Sequence, residues 1–382
     1  MVIDAHLHCT GRERDAGEVL RALDEAAIDM GVLLAPFLDA PYSIHDAASL
    51  RRANAHLAAL VRGHADRLVG FAVVDPRDPD APDDLRHAVE SLGLAGVKMV
   101  PTGWYPYEDR VQPTFAVASE LELPVLFHSG IFIDGRSGRF CRPSYFEALR
   151  EHPKARVALA HLGWPWTDEA IAVGLIDRIH GVPSERSQFR FDLSFGPPPP
   201  YRLEVLERAL DVLGPGLLQF GSDCFLPCPG REIAERRGWL EELLDVLEAD
   251  AATRAQVMGG TAAAWLRRPG TGPATLPRGA DDADAGEADG SAGANPNGNA
   301  GAGLAGDAAA PPAGARPPSM PFTHGASAPA DVPTPLPPDP ALRRARCSRR
   351  DPTPLADPAR APAGRAFGGW LGGPRRMAPR CC

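Results

Sequence analysis

Over the first 268 residues, eight short β-rich apolar runs are each followed by a stretch with apolar residues at three-to-four spacing. Strict strand-helix alternation implies a parallel sheet, and eight such units predict its closure into an α/β (β/α)8 TIM barrel. The runs are Val2–His8, Gly31–Phe37, Leu68–Val74, Ala95–Val100, Pro124–His128, Arg156–His161, Phe189–Leu193 and Leu217–Asp223. The helical stretches are Ala16–Ala27, Ser43–Gly63, Asp83–Leu92, Val111–Leu121, Tyr145–His152, Asp168–Ile179, Tyr201–Leu213 and Glu232–Leu247. A last helix, Ala251–Arg267, is expected to cap the barrel.

Composition sets the boundary of this domain. The 41 Pro and 39 Gly make up about a fifth of the 382 residues, and about half of the prolines follow Arg268, where the apolar periodicity stops. Residues 269–382 alternate Ala, Gly and Pro, with an acidic cluster (Asp281, Asp282, Asp284, Glu287, Asp289) and basic ones later (Arg343, Arg344, Arg346, Arg349, Arg350). Such a segment cannot bury enough apolar area to offset its ordering entropy, so a disordered tail is expected behind a barrel at 1–268.

Several classes of partner are disfavoured. Net charge is −9, and the basic residues of the barrel segment are scattered, which argues against nucleic acid. No apolar run approaches the roughly 18 residues that span a bilayer. The opening Met1-Val2-Ile3-Asp4 lacks the basic start and apolar core of a signal peptide, so a cytoplasmic protein is expected. Seven Cys, an odd number without paired zinc-knuckle spacing, read as reduced thiols. Oligomeric state is left open, with a homo-oligomer admitted.

Chemistry concentrates at the predicted strand ends. His6 and His8 share one face of the first strand, roughly 6 to 7 Å apart, and Asp4 has the same parity. Two imidazoles aimed at one point suit a divalent cation such as Zn or Mn. Lys98, His128, His161 and Asp223 end strands four, five, six and eight, and in an α/β barrel those ends converge on one mouth. One strand-end histidine is commonly a core residue bonded to backbone; this many ligand-type residues on five strand ends are hard to explain as packing.

The motifs Ile3-Asp4-Ala5-His6-Leu7-His8, Pro124-Val125-Leu126-Phe127-His128, Ala160-His161-Leu162-Gly163 and Gly221-Ser222-Asp223 resemble the amidohydrolase superfamily. They are similar to its amidohydrolase-related branch, which includes aminocarboxymuconate semialdehyde and resorcylate decarboxylases and many metal-dependent hydrolases. The resemblance covers Met1 to about Arg268 and implies His6, His8, His128 and Asp223 as ligands of one metal, with His161 beside it. Asp223 would move the proton of a bound water, and His161 would steady the developing oxyanion. Some relatives carry a carboxylated lysine that bridges two ions. Lys98 is a candidate for that role, since only it and Lys154 are lysines among 40 basic residues; the alternative is an unmodified lysine that binds an anion.

Loop residues suggest a flat or apolar organic substrate. Trp104, Tyr105, Trp164, Trp166 and Phe195 follow strands four, six and seven; they form a substrate rim or pack loops onto the barrel. Arg136, Arg139 and Arg142 are candidates to bind a carboxylate or simply line a solvated loop. The leading expectation is a metal-dependent hydrolase of an ester, lactone or amide in a small molecule. Non-oxidative decarboxylation of an aromatic or enoic acid is the alternative, and a non-catalytic metal-binding barrel is third.

Overall fold

A computed structural model describes residues 1–267, except 39 and 195. The tail expected from 269 onward, and Phe195 of the expected rim, lie outside the described residues. The strands are β1 (Ile3–Cys9), β2 (Met30–Leu34), β3 (Leu68–Val73), β4 (Gly96–Met99), β5 (Pro124–Phe127), β6 (Arg156–Leu159), β7 (Phe189–Asp192), β8 (Leu218–Gln219) and β9 (Cys224–Leu226). The α-helices are α1 (Ala16–Glu25), α2 (Ala47–Val61), α3 (Ala81–Glu90), α4 (Gln112–Glu120), α5 (Thr167–Ile179), α6 (Pro199–Leu213), α7 (Gly230–Val246), α8 (Ala251–Ala255) and α9 (Thr261–Leu266). The helix expected at Tyr145–His152 is wound tightly as a 3-10 stretch over Pro143–Glu151.

All pairings are parallel, and β1 to β8 pair in chain order. The other edge of β1 pairs with β9, which closes the barrel. The single eighth strand expected over Leu217–Asp223 is therefore two pieces, one bonded to β7 and the other to β1. Across the break the Ala5 N–H donates to Phe220 O (3.0 Å) and the Asp223 N–H to His6 O (2.9 Å). Asp223 itself sits at φ +58°, a left-handed conformation that interrupts the ladder.

β1 carries a second irregularity. Asp4 lies opposite Gly31 but Leu7 opposite Leu33, so β1 holds one residue more than β2 between these partners. Ile3 and Ala5 pack inside the barrel, whereas Leu7 and Cys9 pack in the outer layer. The alternation inverts at the bulge, so the expectation that Asp4 shares the face of His6 and His8 is corrected. Asp4 Oδ1 instead accepts from the backbone N–H groups of His6 (3.1 Å) and Ser222 (2.9 Å), tying β1 to the broken strand.

The outer layer joins strands to helices through residues such as Leu23, Leu57, Phe115, Phe146 and Leu206. The inner layer holds Met30, Val32, Val69, Phe71, Leu126 and Ala158 and is covered by Ala262, Trp265 and Leu266 of α9. The Trp265 indole N–H donates to Arg156 O at the start of β6 (2.7 Å), and its ring lies 5.3 Å from that of Phe71. The final segment thus caps the end where strands begin, with a π-helical turn over Gln256–Gly260 between α8 and α9. No helix of the described residues is long and apolar enough to cross a membrane. Trp265 is fully buried, so Trp265→Ala should cost about 3–5 kcal/mol, read as a lowered urea midpoint.

Candidate active site

The barrel brings His6 and His8 of β1, Lys98 of β4, Asp192 of β7 and, just past β5 and β6, His128 and His161 toward one end, with Asp223 entering from the break before β9. All seven are buried. Donor atoms of His6, His8 and Asp223 lie within 4.8 Å of one another. His6 Nε2 is 3.1 Å from His8 Nε2 and 3.3 Å from Asp223 Oδ1, and His8 Nε2 is 3.1 Å from the same oxygen. Lys98 Nζ lies 3.3 Å from His6 Nε2.

This donor set fits a divalent cation. Two nitrogen donors and a carboxylate converge, and the buried Asp223 Oδ2 has no hydrogen-bond partner among the described residues, an arrangement costly to leave uncompensated. Among the same residues the buried Nε2 of His128 also lacks a partner. His128 does not belong to the converging trio; its ring centroid lies 5.0 Å from that of His161 and stacks at 4.0 Å on Phe132. The His161 ring is 5.5 Å from that of His6. On the other side His8 stacks on Phe225, with ring centroids 4.8 Å apart.

Burial and charge set the protonation states. Burial, aided by Lys98, holds His6 down at about 4, and burial likewise lowers His8 and, together with His161 and Lys98, lowers His128 well below the usual imidazole value. Burial works to raise Asp223, but His6, His8 and His161 outweigh it and keep the carboxyl well below the ordinary range. Asp4 behaves oppositely: burial lifts it to about 7 despite its bonds from Ser222. The His6, His8 and His128 rings are therefore uncharged at neutral pH, each with one N–H and one lone pair.

The expected rim divides. Trp104 is buried in the outer layer, its ring 6.1 Å from Phe115, so it packs the barrel wall and the substrate role considered for it is corrected. Trp164 is half-buried beside Tyr201, 5.1 Å between centroids. Arg139 is exposed, with its guanidinium 4.5 Å over Phe140. Arg136 pairs with Asp134 and lies 4.4 Å over Phe132, while Arg142 pairs with Glu169 and lies over Trp166. Cys9, Cys141, Cys224 and Cys228 are free thiols. Two residues escaped the sequence reading: Asp192, whose Oδ2 is 2.6 Å from His6 Nδ1, and Ser194, whose Oγ is 3.1 Å from His161 Nδ1. Asp192 stands at the end of β7, the same address that flagged the others.

An amidohydrolase family profile matches residues 3–268, about 70% of the chain. The chain belongs to the amidohydrolase family. A curated relative, the gamma-resorcylate decarboxylase of Rhodococcus jostii, is 29% identical over 180 residues, covering 38% of this chain and 55% of the relative. The chain thus spans about half the length of that relative. Among solved structures, 5-carboxyvanillate decarboxylase of Sphingomonas paucimobilis superposes with a TM-score of 0.50 at 20% identity, covering 69% of this chain and 98% of that one. The enzyme of that name from Novosphingobium aromaticivorans, solved with manganese and a nitrobenzoic acid, gives 0.50 at 15% identity over 70% and 96%. At these identities both likenesses bear on the fold alone.

Two outcomes follow for this amidohydrolase centre. Purified protein should hold at least about one transition-metal equivalent per chain, and His6→Ala combined with His8→Ala should abolish it; equal metal in both by elemental analysis rejects the site. Because burial leaves His6 titrating only near 4, protons do not compete for it at neutral pH. Zinc affinity should therefore change little on going from about pH 8 to pH 6, whereas exposed histidines would lose affinity below about 6.5; calorimetry at several pH values measures it.

Proposed function

We propose that the chain is a metal-dependent decarboxylase that removes a carboxylate from an aromatic acid without oxidation. The observation that carries the reading is Asp223: a buried carboxylate with an oxygen unpartnered among the described residues, placed beside the His6–His8 pair, with Lys98 Nζ on His6 Nε2. What turns it toward decarboxylation is the 29% identity to a gamma-resorcylate decarboxylase, which reverses the order of preference drawn from sequence alone.

Replacing a carboxylate by hydrogen requires a proton on the ring carbon; the carbon–carbon bond then breaks, its electron pair returns to the ring, and carbon dioxide leaves. Asp223, after taking a proton from solvent or from an acidic group of the substrate, delivers it to that carbon. Lys98 and His161 hold the anionic oxygens of the substrate in place. A divalent ion held by His6, His8 and Asp223, joined by His128 from outside that trio, Zn or Mn by donor type, would supply the positive charge that binds the acid. One ion is the count proposed, and carboxylation of Lys98 would raise it to two.

Hydrolysis of an ester, lactone or amide is the second reading, favoured by one observation: His6, His8 and His161 hold Asp223 as the carboxylate, the form that accepts a proton from water. A panel of aromatic acids, esters, lactones and amides run in oxygen-18 water separates the two. Carbon dioxide release with an unlabelled product supports decarboxylation; label in a product acid moves the protein to hydrolysis. In either chemistry Asp223→Asn should lower turnover by a factor on the order of 10² or more, with metal content measured beside the rate because the amide is a poorer ligand.

A further inference from the structure

Behind the converging donors lies a second set of polar contacts that the proposed chemistry does not use. Asp192 Oδ2 is 2.6 Å from His6 Nδ1, and Asp192 Oδ1 accepts the Ser194 backbone N–H at 2.6 Å. The Ser194 hydroxyl donates to Asp192 Oδ2 at 2.8 Å. With its proton committed there, its lone pairs face two imidazoles, His6 Nδ1 and His161 Nδ1, each at 3.1 Å. His161 Nδ1 is also 2.9 Å from the Ser194 carbonyl oxygen. Asp192 and Ser194 are both buried.

Among the described residues, each hydrogen-bond partner of the two Nδ1 positions serves as an acceptor once the Ser194 proton is on Asp192. A carbonyl oxygen can only accept, so the proton of a neutral His161 ring sits on Nδ1 and leaves a lone pair on Nε2. In His6, two carboxylates compete for the single proton of a neutral ring: Asp192 at 2.6 Å from Nδ1 and Asp223 at 3.3 Å from Nε2. The shorter contact is the stronger. Lys98 Nζ stands 3.3 Å from Nε2, and as an ammonium, with donors only, it would require a lone pair there. We infer that Asp192 and Ser194 are positioning residues that impose the Nδ1–H tautomer on both His6 and His161, so that one Nε2 lone pair is presented to a metal ion and the other to the substrate. A carboxylate behind a ligating histidine fixes ring and tautomer in this way and raises ligand basicity.

The inference rests on the metal reading for its purpose but not for its test. Long-range proton–nitrogen correlation spectra of the metal-free, full-length protein report the tautomer of each histidine ring. His6 and His161 signals are assigned by their loss in His6→Asn and His161→Asn. Both rings are expected as Nδ1–H; an Nε2–H tautomer on either overturns the inference. Asp192→Asn then supplies the second measurement. Its amide can turn an N–H toward His6 Nδ1, which forces the ring proton onto Nε2 and blocks ligation. Zinc affinity should fall about 10- to 100-fold while the thermal midpoint and circular dichroism show a folded protein. A folded Asp192→Asn protein with wild-type zinc affinity overturns the role, and if the variant does not fold, the wild-type spectrum decides alone. Wild-type protein with both tautomers but no zinc binding would sink the metal reading and leave this inference standing.

Discussion

Closure of the sheet between its eighth and first strands is the constraint on which the site depends. A parallel barrel needs its last strand bonded to both neighbours, and here that strand does so in two pieces, β8 to β7 and β9 to β1. The break between them carries Asp223 into the barrel, where its carboxylate meets His6 and His8. An unbroken strand over the same residues would alternate side chains in and out with no freedom to re-aim one of them. The irregularity is thus what converts a barrel wall into a donor set, and bonds from Ala5, Asp223 and Asp4 across the gap keep it from fraying.

Charge in so dry a place has to be arranged as a set. Asp4, Asp192 and Asp223 are buried alongside Lys98 and four imidazoles. An isolated buried carboxylate would be neutralised by protonation, which is what burial does to Asp4 at about 7. Burial pushes Asp192 and Asp223 the same way, but the neighbouring histidines outweigh it and hold both below the ordinary range. The carboxylates facing imidazoles stay charged, and the one facing backbone amides approaches neutrality. Such a network is poorly optimised for stability, and its members make most sense as parts of a charged, functional centre.

The sequence displays what is periodic and hides what is not. Strand runs and the residues at their ends, His6, His8, Lys98, His128, His161 and Asp223, follow from alternation alone, because a barrel brings all strand ends to one mouth. The bulge in β1 and the break before β9 each shift one strand relative to its neighbour, and no local pattern announces them. Hence the parity assigned to Asp4 fails. For Trp104 the sequence left a rim and a packing role both open: its position after β4 fits either, and the loop folds its indole into the outer layer against Phe115. Asp192 was legible in principle, at the end of the run Phe189–Leu193. Ser194 was not, since its role depends on two imidazoles from distant strands.

Of the six non-glycine residues with positive φ among the described residues, Ala27, Glu122 and Glu248 follow helix ends, and the other three, His161, Leu162 and Asp223, at 60°, 46° and 58°, lie at the site. Each such residue costs about 1–3 kcal/mol, so the surrounding fold must hold them there. Two of the three are site residues at the ends of the sixth and eighth strands, where the chain turns abruptly to point a side chain into the mouth. Gly221 makes the eighth-strand turn feasible in a different way. A Cβ at that position would stand 2.7 Å from Asp192 Oδ1 and 2.8 Å from His6 Cβ, contacts that real Cβ atoms do not make. Without a side chain there, β7 and β1 approach closely enough for Asp192 to reach the His6 ring across the broken strand. The Gly221-Ser222-Asp223 motif therefore does two things within three residues: its glycine admits the carboxylate behind His6, and its aspartate supplies the one in front.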